Sequence, residues 1–330
     1  MLPLERDRIA MTISKLLLNS LVGMTLLGMS CSAAAHEHGD ALNQEQLLAG
    51  FGWDFESAEI TTEKVADGLH VLFGLGGNIA VSTGEDGVLI VDDQFPQMMD
   101  KIKAAIATLG GDGVNFVINT HGHFDHAEGN LALGPEGAMI VSHDNARSLM
   151  ANGAVVNMVM AKYQQPPYPA DALPVVTYDG GMHIHFNGES IALRHFSEAH
   201  TNGDTAVFFP RHNAVHLGDV FNNTGYPFVD VDGGGDIDGM IDFCEQVLAL
   251  IDDETVVIPG HGPLADAATL ARYTGMLKTV RDRIADMLAR GMSLEAVEAA
   301  KPAADFEADF GPESASLGFV NRVYTSLQKD

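Results

Sequence analysis

Short apolar runs recur along the first half of the chain and are separated by turn-forming residues. Val, Ile, Leu and Phe dominate these runs, and Gly, Asn or Asp bound several of them, which is typical of β-strands joined by turns. The predicted strands are LHVLFG (69–74), NIAVST (78–83), GVLIVDD (87–93), VNFVIN (114–119) and AMIVS (138–142). The first three follow one another closely, so we expect them to form a meander.

An amphipathic helix is predicted between the third and fourth strands, in the sequence PQMMDKIKAAIATLGG. Met98, Ile102 and Ile106 recur every four residues and would share one face of the helix. Pro96 near the start and Gly110-Gly111 at the end are typical helix boundaries. A second, shorter helix is predicted in SHDNARSLM.

Prolines interrupt the next segment, QQPPYPADALP (164–174). Proline fixes φ and lacks a backbone donor, so we expect a surface loop or lid here and no regular structure. The Met and Tyr residues of the surrounding region, 158–173, make it a candidate substrate-facing loop.

The strand pattern returns in the second half of the chain. The predicted strands are MHIHFN (182–187), IALRHF (191–196), DTAVFF (204–209), NAVHLGD (213–219) and TVVIPG (255–260). A helix in IDGMIDFCEQVLALI separates the last two, and the chain beyond residue 266 is mostly helical. Two groups of strands with associated helices predict an α/β protein in which two sheets pack together with helices outside. No Gly/Ser linker or long charged run divides residues 36–330, so we expect a single domain with a helical C-terminal tail.

The first 35 residues have the order of segments found in secretory signal peptides. Basic residues precede the apolar run LLLNSLVGMTLLGM, and the small residues Ala33-Ala34-Ala35 follow it. The run is too short and too interrupted for a membrane span. We expect removal of residues 1–35 and a periplasmic or secreted protein without stable membrane insertion. Lipidation at Cys31 is the alternative to simple removal and is left open.

The chain is strongly acidic. Its 330 residues include 45 Asp and Glu against 18 Lys and Arg, which gives a formal net charge of −27. Nucleic acids and anionic membranes are bound by clusters of basic residues, so this balance argues against both as partners. A small-molecule substrate is favoured instead. An acidic surface is compatible with a monomer, although the sequence leaves the oligomeric state unassigned.

Cys244 is the one cysteine outside the predicted signal peptide, so no intrachain disulfide can form after its removal. It shares the apolar face of a predicted helix with Met240, Ile241 and Leu248. We therefore expect a small buried hydrophobe and not a nucleophile.

Three histidines and an aspartate crowd the loop after the strand VNFVIN. They are His121, His123, Asp125 and His126 in the sequence NTHGHFDHAEGN. Burying these imidazoles together without a cation would leave costly unpaired polar groups. His and Asp are ligands of Zn²⁺ and related first-row metals, so the loop predicts a metal site.

Residues from elsewhere in the chain are needed to complete such a site. His200 follows the strand IALRHF, Asp219 ends the strand NAVHLGD, and His261 follows the strand TVVIPG. Each lies at or just beyond the C-terminal end of a predicted strand, where loops converge at one edge of a sheet. We expect these three side chains to join the four of the histidine-rich loop.

The sequence T-H-G-H-F-D-H at 120–126, together with His200, Gly218-Asp219 and P-G-H at 259–261, resembles the metallo-β-lactamase superfamily. The resemblance extends over most of the chain after the predicted signal peptide. It implies a four-layer αββα sandwich, in agreement with the two packed sheets predicted from the strand pattern.

The resemblance also implies a binuclear metal centre. The implied ligands are His121, His123 and His200 for one metal, Asp125, His126 and His261 for the second, and Asp219 as the bridge between them. The implied cofactor is Zn²⁺, two per chain, with Fe or Mn as alternatives. A hydroxide shared by the two metals would be the nucleophile, and Asp125 would orient the water from which it forms.

Departures from known branches of the superfamily narrow the implied activity. Asp219 stands where the β-lactamases with a cysteine ligand have that cysteine, and His123 stands where the flavodiiron oxygen reductases have Glu. The branches that process nucleic acids need a basic surface, which this acidic chain lacks. The resemblance therefore implies a hydrolase of a small amide, ester, lactone or thioester, with β-lactams among the candidates.

A single-iron oxidoreductase resembling the persulfide dioxygenases is the alternative. It would use His121, His200 and Asp219 and leave the second site empty, and iron in the purified protein would favour it. A non-enzymatic metal-binding protein is a third interpretation, which intact metal sites without turnover of any substrate class would favour.

The segment FNNTGYPFVDVDGGGDIDG (221–239) directly follows Asp219 and so begins beside the expected metals. Asn223 and Tyr226 are candidate hydrogen-bond donors to a substrate carbonyl or carboxylate. The alternative is a Gly/Asn-rich turn in which aspartates such as Asp230 are solvated loop charges. Asp204 is a candidate acceptor for the N–H of a ligand imidazole.

Overall fold

Two β-sheets face each other in residues 41–329, the part of the chain that the computed structural model describes. The larger sheet contains β1 (Thr61–Ala66), β2 (Leu69–Phe73), β3 (Ile79–Gly84), β4 (Gly87–Val91), β5 (Phe116–Ile118), β6 (Met139–His143) and β9 (Val176–Tyr178). The smaller sheet contains β10 (Gly181–Phe186), β11 (Glu189–Arg194), β12 (Ala206–Phe209), β13 (Ala214–His216) and β14 (Val256–Ile258). A separate hairpin consists of β7 (Ala154–Asn157) and β8 (Lys162–Gln165). The predicted signal peptide, residues 1–35, lies outside the described residues.

Strand direction changes within each sheet. The larger sheet has the order β1-β2-β3-β4-β5-β6-β9, antiparallel as far as β4 and parallel from β4 to β9. The smaller sheet has the order β10-β11-β12-β13-β14, antiparallel as far as β13 and parallel between β13 and β14. The carboxyl ends of β4, β5 and β6 therefore lie at one edge of the larger sheet, and those of β11, β13 and β14 lie at one edge of the smaller sheet.

Alternating strand residues bury both faces of the larger sheet. In β4, Leu89 and Val91 belong to a cluster that also contains Ile191 and Leu193 of the smaller sheet. Val88 and Ile90 belong to a different cluster on the opposite face. This is the two-residue period of a strand, and it places the central apolar core between the two sheets.

Helices cover the two outer faces. α1 (Gln44–Phe51) and α2 (Met99–Thr108) pack on the larger sheet. The smaller sheet is covered by α6 (Ile237–Leu248), α7 (Ala267–Ala289) and α10 (Glu313–Ser326). The shorter helices are α3 (Phe124–Ala127), α4 (Asn130–Leu133), α5 (Asp144–Asn152), α8 (Leu294–Ala299) and α9 (Glu307–Phe310). The layers follow the order helix, sheet, sheet, helix, which confirms the predicted αββα sandwich. None of the helices within residues 41–329 has the length and apolar character needed to cross a membrane.

All ten predicted strands are present, with ends that differ by a few residues from the predicted bounds. The predicted amphipathic helix corresponds to α2, preceded by a 3₁₀ turn at Pro96–Met98. Cys244 is fully buried on α6, and burial raises the pKa of its thiol to about 12. The prediction that Cys244 is buried on a helix is therefore confirmed.

Some elements were not predicted from the sequence, namely α1, β1, β7, β8 and β9. The side chains of β1 are mostly exposed, so its sequence TTEKVA lacks the apolar alternation that indicates a strand. The expectation of a surface loop over 164–174 was partly wrong. Gln164 and Gln165 belong to β8, and Tyr168 and Ala172 are buried, so packing against α5 excludes a free lid in this segment.

Candidate metal centre

The loops at the carboxyl ends of strands from both sheets meet at one edge of the sandwich. The loop after β5 carries His121 and His123, and the short helix α3 that follows it carries Asp125 and His126. The loops after β11, β13 and β14 carry His200, Asp219 and His261. All seven predicted side chains are brought together in three overlapping groups that could hold a metal ion, with candidate ligand atoms within 4.8 Å of one another in each group.

His121, His123 and His200 form the first cluster. The His123 Nδ1 and His200 Nε2 atoms are 2.9 Å apart, and the His121 ring lies edge-on to both neighbours. All three side chains are buried, and the His121 Nε2 atom has no hydrogen-bond partner among the described residues. A buried imidazole nitrogen with no partner, aimed between two others, is the donor arrangement that Zn²⁺ prefers.

Asp125, His126 and His261 form the second cluster. The His126 and His261 Nε2 atoms are 3.1 Å apart, and the Asp125 Oδ2 atom lies 3.2 Å from His261 Nε2. His261 retains 24% and Asp125 13% side-chain exposure, whereas His126 is fully buried. Solvent and substrate can therefore approach the centre from the side of Asp125 and His261.

Asp219 lies between the two clusters. Its Oδ1 atom is 3.0 Å from His126 Nε2 and 3.4 Å from His261 Nε2, whereas its Oδ2 atom is 3.7 Å from His200 Nε2. One carboxylate oxygen thus faces each cluster. The Oδ1 atom is buried without a hydrogen bond of acceptable geometry, as expected of an oxygen that is positioned for a cation.

Asp92, which follows β4, fixes the orientation of two of these imidazoles. Its Oδ2 atom accepts a hydrogen bond from His126 Nδ1 at 2.7 Å and another from Thr120 Oγ1 at 2.8 Å. Thr120 Oγ1 in turn lies 3.0 Å from His121 Nδ1. The Nδ1 atoms of His121 and His126 are thereby engaged, which leaves both Nε2 atoms facing the clusters.

His123 and His200 are oriented by the segment that precedes α6. The His123 Nε2 atom is 2.8 Å from Asp230 Oδ2, and the His200 Nδ1 atom is 2.7 Å from the Phe228 carbonyl oxygen. His123 therefore presents Nδ1 to the first cluster, and His200 presents Nε2. The choice of nitrogen at each imidazole is set by the hydrogen bond at the other.

Two glycines allow the loops to approach the clusters closely. A Cβ atom added at Gly77 would lie 2.1 Å from the His126 ring, and one added at Gly260 would lie 2.0 Å from Asp219 Oδ1. Any other residue at either position would displace one of the clustered side chains. Because these positions have no side chain, the loops after β2 and β14 pack directly against His126 and Asp219 without displacing them.

Burial and mutual charge shift the pKa values of the clustered groups in opposite directions. Burial lowers the pKa of His200 to about 4 and holds the pKa of His121 well below its usual value, so both imidazoles are neutral. Burial also lowers the pKa of His261, but the Asp219 and Asp125 carboxylates outweigh it and raise that pKa to about 9. In Asp219, burial is outweighed by His126 and His261, and its pKa falls well below the usual range. The second cluster therefore favours positive charge beside two carboxylates, a role that suits a divalent cation.

A family profile described as "Metallo-beta-lactamase superfamily" matches residues 72–261, which is more than half of the chain and includes all seven clustered residues. The chain belongs to the metallo-β-lactamase superfamily. Members of this superfamily are usually metal-dependent hydrolases, and their metal is often zinc.

Curated relatives within the superfamily share only part of their length with this chain. Metallo-beta-lactamase domain-containing protein 1 of Mus musculus is 35% identical over 111 residues, which are 32% of this chain and 39% of the relative. The protein of the same name from Rattus norvegicus is 43% identical over 72 residues, which are 21% of this chain and 28% of the relative. The matches thus span well under half of each relative.

Solved structures share the fold at low sequence identity. The DIM-1 metallo-beta-lactamase aligns with a TM-score of 0.54 and 18% identity, over 67% of this chain and 98% of its own. The sec-alkylsulfatase Pisa1 from Pseudomonas sp. aligns with a TM-score of 0.62 and 15% identity, over 81% of this chain and 50% of its own. At this identity the likeness concerns the metallo-β-lactamase fold alone.

Asn223 and Tyr226, the predicted substrate donors, both bond to protein carbonyl groups. The Asn223 Nδ2 atom donates to the Pro263 carbonyl at 2.9 Å. The Tyr226 hydroxyl donates to the Ala303 carbonyl at 3.2 Å, and the Tyr226 ring stacks on Phe319 of α10. Tyr226 is thereby directed into the helical layer, in contrast to the expectation that it points toward a substrate.

Asp230 takes the role for which Asp204 was a candidate, and both carboxylates are buried. Asp230, expected to be a solvated loop charge, is 1% exposed and bonds to His123. Asp204, expected to accept from a ligand imidazole, accepts instead from the backbone N–H and the hydroxyl of Thr201. Both expectations were wrong because the turn geometry that orients each carboxylate is not visible in the sequence.

Sequence reasoning also missed Asp92 and Thr120. Asp92 directly follows β4, as His121 follows β5, and the two strands pair in parallel with Val91 opposite Ile118. Polar residues just beyond adjacent parallel strands lie at the same edge of a sheet. The position of Asp92 directly after the run GVLIV was therefore the one signal in the sequence that indicated its contact with His126.

Proposed function

We propose that this protein is a binuclear metal-dependent hydrolase that holds two Zn²⁺ ions and cleaves a small-molecule amide, ester, lactone or thioester. The observation that carries this proposal is the pair of clusters joined by the two oxygens of Asp219. Family membership supports the hydrolytic class of the reaction. The residues of each cluster would hold one ion, with Asp219 between them.

Two zinc ions held by these residues would supply a nucleophilic water at neutral pH and would polarise the bond to be cleaved. The protein contributes the positions of its side chains. His121 and His200 are neutral and fixed by hydrogen bonds at their outward nitrogens, so their Nε2 atoms are already placed to hold an ion. Such preorganisation reduces the cost of assembling the charged site.

Asp125 is the proposed acceptor for a proton of the attacking water. Its side chain is 13% exposed, and its Oδ2 atom lies 3.2 Å from His261 Nε2. The Asp125 backbone carbonyl accepts a hydrogen bond from Gly77 N at 2.9 Å, which fixes the residue at the start of α3. A carboxylate held in this way can orient a water molecule for attack.

The second cluster favours the binuclear proposal over a single-iron dioxygenase. A dioxygenase of that kind would use His121, His200 and Asp219, and would have no need for the approach of His126 to His261 and Asp125. We further propose that the protein acts outside the cytoplasm after loss of residues 1–35, which makes β-lactams candidate substrates alongside lactones, esters and thioesters.

Hydrolysis by the zinc-loaded protein tests this function. A chromogenic cephalosporin, an aryl ester, a lactone and a thioester would be compared with wild-type protein and with the Asp125→Ala variant. We expect turnover of at least one substrate class, loss of that turnover on chelation, and a decrease of about 100-fold or more in kcat for the variant. Absence of turnover for all four classes, or turnover that survives chelation, would contradict the proposal.

A further inference from the structure

The segment 228–237, which we call the aspartate loop, supports two of the three histidines in the first cluster. The Phe228 carbonyl accepts from His200 Nδ1, and the Asp230 carboxylate accepts from His123 Nε2. Asp230 is itself held by a hydrogen bond from Gly233 N to its Oδ1 atom at 3.0 Å. The position of this loop therefore sets the position of both imidazoles.

Backbone hydrogen bonds join the aspartate loop to the strand-end segment that carries His200. Asp230 N donates to the His200 carbonyl at 2.9 Å, and Asp236 N donates to the Ala199 carbonyl at 2.8 Å. Within the loop, Gly235 N donates to the Asp230 carbonyl at 2.7 Å. A movement of the loop would thus be transmitted directly to His200.

The loop contains three consecutive glycines at 233–235. Glycine loses more conformational freedom on folding than any other residue, so such a segment is costly to hold in one conformation. Residues outside the loop must therefore contribute contacts that fix it.

α10 and the residue three positions beyond it provide these contacts. Ser326 Oγ accepts from Ile237 N at 3.0 Å and donates to Asp236 Oδ2 at 2.9 Å. Arg322 Nη2 donates to Asp232 Oδ2 at 3.1 Å, and Lys329 Nζ donates to the Val231 carbonyl. Arg322 and Ser326 are buried, whereas Asp232, the partner of Arg322, is half-exposed. The bonds of Ser326 are therefore the better shielded from water and contribute more than exposed ones would.

We infer that Ser326 and Arg322 are positioning residues for the metal centre. They hold the aspartate loop in the conformation in which Asp230 and Phe228 orient His123 and His200. This inference rests on the proposed function, because it concerns the affinity of the three-histidine cluster for Zn²⁺. The second cluster is oriented from other elements, with His126 held by Asp92 after β4, so loss of the α10 contacts affects one site and not the other.

Matched serine variants on α10 test the inference. Ser326→Ala removes both contacts to the loop, whereas Ser316→Ala removes a buried serine of the same helix that bonds only to the Glu313 carbonyl. Asp232→Asn breaks the pair with Arg322 at a half-exposed position, and Asp305→Asn breaks a pair with Arg283 of α7, outside both the aspartate loop and α10. Asp230→Asn alters the residue that directly orients His123, and its zinc affinity is the reference for a direct loss of that orientation.

Zinc affinity would be measured for each metal-free protein by competition with a chromophoric chelator. His261→Ala removes a member of the second cluster. The zinc-binding step that remains in this variant therefore belongs to the three-histidine cluster. The visible absorption of bound Co²⁺ reports the geometry of that cluster, and thermal unfolding of the metal-free proteins reports stability. We expect affinity at the three-histidine cluster to decrease by about 3- to 10-fold in Ser326→Ala and Asp232→Asn, and by about 10- to 100-fold in Asp230→Asn.

The control variants Ser316→Ala and Asp305→Asn should retain wild-type affinity and Co²⁺ absorption at both sites. If Ser326→Ala and Asp232→Asn match these controls, or weaken both sites equally, the positioning inference is wrong although the proposed function stands. If the wild-type protein itself binds no zinc, the proposed function fails before any variant is compared.

Discussion

Four of the five clustered histidines use one ring nitrogen for a protein hydrogen bond and turn the other toward the centre. The partners are Thr120 for His121, Asp230 for His123, Asp92 for His126 and the Phe228 carbonyl for His200. Each partner fixes both the tautomer and the ring orientation. At the scale of single residues, the centre therefore depends as much on these acceptors as on the seven clustered side chains.

Asp92→Asn should weaken zinc binding by about 10- to 100-fold. An amide NH₂ group in place of Oδ2 would face His126 Nδ1 and favour the tautomer that carries its proton on Nε2, the nitrogen that faces the second cluster. Chelator competition measures the change. Asp86→Asn, which alters an exposed aspartate that accepts from Asn187 N, is the control. Equal zinc affinity in the two variants would contradict the role of Asp92.

Asp204 should make the metal-free protein less stable as the pH rises. Burial outweighs the two hydrogen bonds from Thr201 and raises the pKa of this carboxyl from 3.8 to about 7. The neutral form of the Asp204 carboxyl is favoured in the folded protein. Its contribution to the free energy of unfolding is therefore fully present below about pH 4 and is lost as the pH rises through about 7. The Asp204→Asn variant carries no such charge at any pH.

Urea unfolding of the metal-free proteins at pH 5 and pH 8 measures this effect. The free energy of unfolding of Asp204→Asn, compared with that of wild type, should be about 1 to 3 kcal/mol larger at pH 8 than at pH 5. The variant of an exposed aspartate, Asp171→Asn, should show no comparable change. A difference between Asp204→Asn and wild type that is independent of pH would refute the assignment.

The seven clustered residues were predictable from the sequence because their chemistry is uncommon in such spacing. Three histidines and an aspartate within six positions have few roles other than metal binding, and His200, Asp219 and His261 each follow an apolar run. Asp92 and Asp230 were missed as acceptors because aspartates after strands and in Gly-rich turns are common. Only the packing of loops from both sheets distinguishes these two from their neighbours.

At the scale of elements, the loop after β2 connects the two halves of the sandwich. Asn78 is 3% exposed, and its Nδ2 atom donates to the carbonyls of Pro259 and Gly262 at 2.9 and 2.8 Å. Its backbone N–H donates to the Gly260 carbonyl at 2.7 Å. The loop that carries His261 is therefore fastened to the opposite sheet on both sides of that residue.

Asn78→Asp should destabilise the protein by about 2 to 4 kcal/mol, because a carboxylate would face two buried carbonyl oxygens without a donor. It should also weaken zinc binding at the cluster that contains His261. Urea unfolding and zinc titration measure the two effects separately.

Asn187→Asp is the matched control for this change. The Asn187 Nδ2 atom also donates to two acceptors, Ser82 Oγ and the Gly87 carbonyl, both at 3.1 Å. These acceptors flank the β3–β4 turn at the opposite end of the sandwich from the metal centre. We expect lower stability but unchanged zinc affinity in this variant. Equal loss of zinc affinity in both variants would argue against a specific link between Asn78 and His261.

Elements with several buried apolar residues at a regular period were predictable, and some elements without such a pattern were not. β4 and α2 present buried apolar positions at the period expected for a strand and a helix. β1 is exposed at most positions, and Tyr178 is the one buried residue of β9. For such elements the pairing with a neighbouring strand determines the structure, and the sequence of the element itself carries little signal.

At the scale of the whole molecule, the net charge of −27 sets the field that a substrate meets. A field of this sign repels anions and lowers their rate of association, whereas neutral molecules are unaffected.

The paired sheets were predictable because strand runs in both halves are apolar enough to be buried on two faces. The field follows from composition alone and so was predictable as well.

An uncharged ester should be hydrolysed more efficiently than its carboxylated analogue at low salt. As ionic strength rises from about 0.01 to 0.15 M, the Debye length falls from about 30 to 8 Å and screens the repulsion. We expect kcat/KM for the anionic ester to rise by about 3-fold or more, while that of the neutral ester stays constant. A constant or falling value for the anionic ester would show that local contacts outweigh the overall charge.

The binuclear centre is tested most directly by the zinc content of the purified, metal-saturated chain. Wild-type protein should bind two equivalents of zinc, and His261→Ala, which removes one member of the more exposed cluster, should bind one with high affinity. Measurement of bound metal after removal of excess zinc gives both numbers. A single tightly bound equivalent in wild type, or no zinc at all, would contradict the proposal that Asp219 joins two metal sites.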